Sequence, residues 1–240
     1  MGEMIRAGAS TDVGAVRAGN EDSFLVDDGV YVVADGMGGH AAGEVASGVA
    51  VEVAGTLAGR TLKPGDVRAA VLEANAAILA AGKREPGRRG MGTTFTGLCL
   101  VDFQGSPHWA VVNVGDSRVY RYADNSLVQL TVDHTELAEL IANGDLTEDE
   151  ARGHPLGNVL TRALGMSPPP EPDLDVFPVR APERFLICSD GLTLELPDEI
   201  IADVLADTED PEDAAKRLVD MAVEVGGRDN VTAVVVDLTA

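Results

Sequence analysis

FLVDDGVYVVADGMGG, residues 24–39, decides how the chain folds. Phe24–Val26 and Tyr31–Ala34 are short apolar runs flanking Asp27-Asp28-Gly29, and together they read as a β-hairpin. The second run is apolar without alternation, as expected of a strand covered on both faces. It nevertheless ends in a carboxylate, Asp35, followed by Gly36, Met37 and the pair Gly38-Gly39. The glycines predict a tight turn into a helix from about Ala42, with Val45, Val49, Val53 and Leu57 on its inner face.

Working outward, a second helix is predicted after Pro64, using Val67, Val71, Leu72 and Ile78. Strands follow at Phe95–Phe103, Trp109–Val114 and Arg118–Tyr122, then a mixed polar stretch, 133–158, with a short helix near Glu136–Ala142. Strands return at Asp175–Val179 and Arg184–Cys188. A helix covers about Asp198–Leu205. Asp210-Pro211 reads as an N-cap with proline in the first turn, opening a helix whose stripe is Leu218, Met221, Ala222 and Val225. Val231–Leu238 closes the chain as a β-branched strand. Strands in runs between helix pairs predict an α+β fold, with antiparallel sheets covered by helix pairs, rather than a strictly alternating parallel one. SPPPEP, 167–172, is a loop within a single domain spanning 1–240.

The chain has 240 residues, 18 Lys+Arg against 40 Asp+Glu, and a formal net charge of −22. That much negative charge repels nucleic-acid backbones and anionic lipid, so neither is an expected partner. No run of about 18 apolar residues and no leader-like apolar core is present, so a cytoplasmic protein is expected. The only cysteines, Cys99 and Cys188, sit in apolar runs and read as buried free thiols of a reducing compartment.

Several aspartates stand at strand ends: Asp35 after VVA, Asp190 after FLICS, Asp116 after VVNVG, Asp229 before the last strand and Asp22 before the first hairpin strand. A carboxylate leaving a buried strand is costly unless paired, and several together repel one another. Mg²⁺ or Mn²⁺ would resolve both problems, since these ions take carboxylate, carbonyl and water oxygens. Gly36 would let its own carbonyl approach an ion. Any one Asp-Gly pair reads more simply as a turn; repetition of the design at three strand ends favours the metal reading. Arg17, five residues before Asp22, suits bidentate capture of a phosphate or carboxylate, or else pairs with Glu21 or Asp22. Of the histidines, His40 is beside the glycine turn and is the candidate general acid; His108 reads as a surface turn residue and His134 as a helix cap. No Cys-x₅-Arg, G-x-S-x-G or G-x-x-x-x-G-K-[ST] motif occurs, which leaves water activated by a cation as the attacking group.

These stretches resemble a known family. RAGNED (17–22), VVADGMGG (32–39), GMGTTF (90–95), VNVGDSRVYRY (112–122), DHT (133–135), NVLTRALG (158–165), LICSDGL (186–192) and RDNVT (228–232) are similar, in order, to motifs of the metal-dependent protein phosphatases (PPM, type 2C Ser/Thr phosphatases) in their bacterial form. The resemblance implies a four-layer α-β-β-α sandwich with metals in a cleft at one end of the sheets. Asp35 would bridge two Mn²⁺ or Mg²⁺ ions, with the Gly36 carbonyl on one and Asp190 and Asp229 on the other. Glu21 and Asp22 would order waters on the metals. Asp116, with Asp190, would line a third metal site, Arg17 would hold the substrate phosphate, and 136–157 would be a flap. Met37 stands where many eukaryotic members have a histidine, leaving the acid role to His40 or to a water. The resemblance further implies hydrolysis of phosphoserine and phosphothreonine by a monomer acting on phosphoproteins, with Ser/Thr kinases or anti-sigma-type regulators as the partners to consider. A catalytically dead regulatory domain is the rival; such a copy should have lost Asp35, Asp190 or Asp229, and all three are present.

Overall fold

The computed structural model describes residues 4–38, 42–151 and 154–239. In chain order these form β1 (Met4–Asp12), β2 (Asp22–Asp27), β3 (Val30–Met37), α1 (Ala42–Gly55), α2 (Pro64–Arg84), β4 (Gly92–Thr93), β5 (Phe95–Phe103), β6 (Ser106–Val114), β7 (Arg118–Ala123), β8 (Ser126–Gln129), α3 (Glu136–Ala142), α4 (Glu148–Ala151), β9 (Asp173–Pro178), β10 (Glu183–Cys188), α5 (Asp190–Glu195), α6 (Asp198–Asp207), α7 (Pro211–Val225) and β11 (Val231–Thr239). One antiparallel sheet has the order β2-β3-β5-β6-β9, with β4 beside β3; the other has the order β1-β11-β10-β7-β8.

The side-chain period of two explains why these strands are apolar throughout. On β3, Val30, Val32 and Ala34 face α1 and α2, while Tyr31 and Val33 meet the other sheet. On β11, Val231, Ala233 and Val235 face α5–α7, while Val234, Val236 and Leu238 turn to the first sheet. Three apolar layers therefore alternate with four layers of backbone, which is the expected α-β-β-α sandwich. Trp109 and Phe185 meet edge to face in the middle layer, with ring centroids 5.5 Å apart.

Three helix faces differ from the predicted ones. On α1 the buried stripe is Ala42, Ala46, Ala50 and Ala54; Val45, Val49 and Val53 are half-buried beside it. Alanines let the helix backbone lie close to the sheet, so small size outweighs hydrophobicity in choosing the inner face. On α2, Ala70 and Ala74 join Val67, Val71 and Ile78 inside, while Leu72 is exposed. On α7, Ala214, Ala215, Leu218, Val219 and Ala222 are inside, Met221 is half-buried and Val225 is exposed. The α7 start is as predicted: Asp210 accepts hydrogen bonds from the Glu212 and Asp213 amides at 2.9 and 3.2 Å, with Pro211 in the first turn. β1, β8 and α5 were not anticipated.

Cys99 and Cys188 are buried and unpaired, and burial pushes both thiols up to about 12, so neither ionises near neutrality. Among the described residues no helix is long and apolar enough to cross a membrane.

Candidate active site and metal centre

The pleat that buries Tyr31 and Val33 between the sheets carries Asp35 onto the same side, where that middle layer opens. Asp22 is the first residue of β2 and the direct ladder partner of Asp35. From the second sheet, Asp190 opens α5 immediately after β10, Asp229 precedes β11 by two residues, and Asp116 precedes β7 by two. A cleft of about 490 Å³ opens here, lined by Arg17, Glu21, Asp35, Gly36, Asp116, Asp190 and Asp229 among others. Asp22 does not line it; it is buried behind Asp35. A hollow of about 640 Å³ at the opposite end of β10 and β11 is larger, but there Arg121 and Arg184 pair with Glu183 and Asp237, so its charges balance internally.

The carboxylates of the cleft are not balanced. Burial is the main cause that raises Asp22, to about 7, with repulsion from Asp190 and Asp229 adding to it and hydrogen bonds from Thr232 and Ser189 opposing it. Burial, then Asp22, Asp190 and Asp116, push Asp35 well above the usual carboxylate range. Burial, then Asp190 and Asp133, raise Asp116 to about 7 against the pull of Arg118. Asp190 is raised by burial and by Asp229, while a hydrogen bond from Asp35 relieves it. Asp35 and Asp190 are thus both pushed upward by burial and by neighbouring carboxylates, although each keeps some surface open to the cleft.

This donor set fits a hard divalent cation. It is all oxygen, and two of its buried oxygens, Asp22 Oδ1 and Asp190 Oδ1, have no hydrogen-bond partner. Among the described residues no three acidic, histidine or cysteine side chains stand close enough to form a ready-made ion cage. The carboxylates ring the cleft, and Arg17 lies across Asp229, donating from Nη2 to Oδ2 at 2.5 Å. The arginine pairs with Asp229, rather than with Glu21 or Asp22, and remains half exposed.

Gly36 needs to be glycine for a reason other than the one expected. A Cβ there would sit 2.2 Å from the Gly43 carbonyl oxygen and 2.5 Å from that of Glu21, so the residue is required where β3 is pressed between two backbones. Gly38, at φ +153°, bends the chain just after β3; Gly39 and His40 lie outside the described residues, and with them the rest of the predicted turn and the candidate acid. Met37, which cannot donate a proton, lines the cleft.

Several residues that hold the site were missed. Ser189 Oγ and Thr232 Oγ1 both donate to Asp22 Oδ2 at 2.7 Å, tying the second sheet to the first. Asn230 accepts from the Glu21 amide at 2.9 Å and donates to the Val13 and Gly19 carbonyls, which fixes the loop that bears Arg17. Thr94 Oγ1 accepts from the Asp35 amide and lies 2.8 Å from Ser117 Oγ, linking Asp35 to the Asp116 loop. Their one sequence signal was adjacency, since each lies in or beside a stretch with a singled-out aspartate. Two histidine readings also change. His134 is buried and caps nothing; Thr135 caps α3, accepting from the Ala138 amide at 3.1 Å. His108 lies in β6 with its ring edge-on to Phe103, rather than in a turn.

The sequence model of the protein phosphatase 2C family matches residues 16–228. The serine/threonine protein phosphatase PstP of Mycobacterium tuberculosis is 41% identical over 240 residues, covering 98% of this chain and 45% of its own length. This chain therefore spans less than half of that relative. The serine/threonine phosphatase stp of Listeria welshimeri is 35% identical over 240 residues, covering 95% of this chain and 93% of its own. The crystal structure of the catalytic domain of the phosphatase PstP in complex with two manganese ions superposes with a TM-score of 0.88 at 39% identity, over the whole of both chains. With two facing antiparallel sheets, carboxylates from both at one end, and this likeness over nearly its full length, the chain belongs to the protein phosphatase 2C family.

Proposed function

We propose that the chain hydrolyses phosphoserine and phosphothreonine in proteins, using two divalent cations, Mn²⁺ or Mg²⁺, in the 490 Å³ cleft. The observation that carries this reading is the unbalanced set of carboxylates drawn from two sheets, with two buried oxygens lacking partners. Two manganese ions in the structure of the related catalytic domain support it. Asp35 and the Gly36 carbonyl would hold the ions from the first sheet, and Asp190 and Asp229 from the second. Asp116 with Asp190 would offer a third position. Glu21 and Asp22 would order water around the ions, Asp22 from behind Asp35. When bound, the cations supply positive charge for the phosphoryl oxygens and lower the pKa of a water molecule.

The side chains supply the rest. Arg17 is half exposed and hinged beside the cleft, so it can leave Asp229 and fork onto two phosphate oxygens. That contact orients phosphorus for in-line attack and shares the charge that develops on it. The leaving oxygen takes its proton from His40 or from water. Residues 136–157 would act as a flap and bias substrate choice. Phosphoproteins are the substrates in this reading, Ser/Thr kinases or anti-sigma-type regulators among them, and the two free thiols support a reducing compartment such as the cytoplasm. Retention of Asp35, Asp190 and Asp229 weighs against a dead regulatory copy.

The test is turnover of p-nitrophenyl phosphate and of a phosphothreonine peptide with Mn²⁺, then with chelator, in the wild type and in Asp190→Ala. Turnover lost with chelator and in the variant is expected. A folded wild type inert with every divalent cation would overturn the proposal.

A further inference from the structure

We propose that His134 is a positioning residue: its ring, in one tautomer, clamps the Gly115–Asp116 loop and so sets where the Asp116 carboxylate enters the cleft. The inference rests on the phosphatase reading for its effect on turnover, but not for the clamp itself.

Gly115 has φ +114°, a conformation side chains avoid, and a Cβ there would lie 2.5 Å from Thr94 Cγ2. The residue before Asp116 is therefore a glycine with the freedom to swing. His134 removes that freedom with a reciprocal pair of bonds. Its backbone amide donates to the Gly115 carbonyl at 2.9 Å, and its ring Nδ1 accepts from the Gly115 amide at 3.1 Å. Asn113 Nδ2 donates to the same carbonyl at 3.2 Å. Three residues after Gly115, Arg118 forks onto Asp133, from Nε to Oδ1 at 3.0 Å and from Nη2 to Oδ2 at 2.6 Å. Segment 115–118 is thus pinned along segment 133–134, and of these residues only Asp116 lines the cleft.

The tautomer follows from the donors. A backbone N–H can only donate, so Nδ1 must carry a lone pair, and a neutral ring then has its proton on Nε2. Nε2 lies 3.0 Å from Asp173 Oδ2, an acceptor for that proton. Arg162 Nη1 donates to the other oxygen of Asp173 at 2.7 Å and also lies 3.2 Å from Nε2, which in this tautomer has no lone pair to offer it. Asp173 selects the tautomer, and the tautomer makes the Gly115 bond. His134 is 5% exposed and does not line the cleft, which rules out contact with substrate.

Two substitutions separate the two ring contacts. In His134→Asn the side-chain oxygen takes the place of Nδ1, so the Gly115 bond is kept and Asp173 is lost. In His134→Gln the amide reaches toward Asp173 and the Gly115 bond is lost. Hydrogen exchange at the Gly115 amide, thermal midpoint, and kcat and KM on a phosphothreonine peptide with saturating Mn²⁺ are measured for both. The Asn variant should keep Gly115 protected and kcat within about threefold, while the Gln variant exposes Gly115 and loses about tenfold in kcat with KM little changed, the effect of one buried hydrogen bond. Gly115 protection unchanged in the Gln variant would overturn the clamp. Loss of kcat that merely tracks thermal midpoint in both variants would reduce His134 to a structural residue and overturn the positioning role. An inert wild type would sink the phosphatase reading instead, leaving the exchange result to decide the clamp.

Discussion

Asp22 and Asp35 stand directly opposite each other in the β2–β3 ladder, two like charges on one face of an antiparallel pair. Such a placement opposes strand pairing. It persists because Ser189 and Thr232 hold Asp22 from the other sheet, while burial and the neighbouring carboxylates push Asp35 well above the usual carboxylate range.

Replacing one of the two opposed carboxyl groups by a neutral amide should therefore strengthen the metal-free fold and end the activity. Asp35→Asn is expected to raise the melting temperature of metal-free protein by a few degrees, at roughly 2–4 °C per kcal/mol for a chain of this size, while turnover is abolished. Calorimetry with chelator and a phosphatase assay with Mn²⁺ read the two effects. A lower melting temperature in metal-free Asp35→Asn would mean that the opposed carboxylates are not in conflict.

The raised carboxylates fix a pH dependence. Asp22 and Asp116, each at about 7 when folded, bind more protons in the native state than in the unfolded chain, where a carboxylate titrates near 3.8. Metal-free stability should be highest below pH 4 with respect to these groups and fall as pH rises toward 7. The loss for a buried group such as Asp22 is on the order of a few kcal/mol. Denaturant midpoints across this range, compared with Asp22→Asn, isolate its part: the variant should slope less steeply. Equal slopes would refute the assignment.

Ser189→Ala removes a donor to Asp22 Oδ2 and an acceptor for the Thr232 amide. Leaving those buried groups short of partners should cost about 1–3 kcal/mol. Because Thr232 shares the same oxygen, Ser189→Ala and Thr232→Val should be non-additive in a double-mutant cycle. Strict additivity would argue that the two hydroxyls act independently.

Arg17 is half exposed, and its ion pair with Asp229 is worth at most about 1 kcal/mol. Arg17→Ala should leave the unfolding midpoint nearly unchanged and lower kcat/KM for phosphopeptide by at least about tenfold through the lost phosphate contact. Unchanged kcat/KM would remove Arg17 from the site.

The alanine face of α1 predicts an asymmetry. Ala46→Leu or Ala50→Leu should cost about 1–3 kcal/mol through overpacking against the sheet. Val49→Ala, at a half-buried position, should cost less. Urea midpoints of the three variants rank them.

How much could be read beforehand follows from where the information lies. The hairpin around Asp28-Gly29, β5, the α1 start at Ala42 and the Asp210-Pro211 start of α7 are signalled locally, by turn residues, apolar runs and caps. β1 is not: MIRAGASTD is rich in small residues, and it is a strand because nine residues pair with β11. The helix faces went astray because hydrophobicity was weighed above size, and close packing on a sheet favours alanine. The aspartates at the cleft were legible because a charge at the end of an apolar run needs a reason. Ser189, Thr232, Asn230 and His134 were not, because a hydroxyl, amide or ring acquires its role only from what the fold brings beside it.

The cleft takes Asp22 and Asp35 from one sheet and Asp190, Asp229 and Asp116 from the other. Each sheet carries its own helices and its own apolar layer, and the two meet along a middle layer that stops where the carboxylates begin. Charge at that edge therefore acts on the adhesion of two half-proteins. Whatever neutralises it, whether proton or cation, rivets the sandwich shut; whatever strips it wedges the halves apart. A chelator should then behave as a weak denaturant, fraying the seam from the cleft inward before the helices are lost.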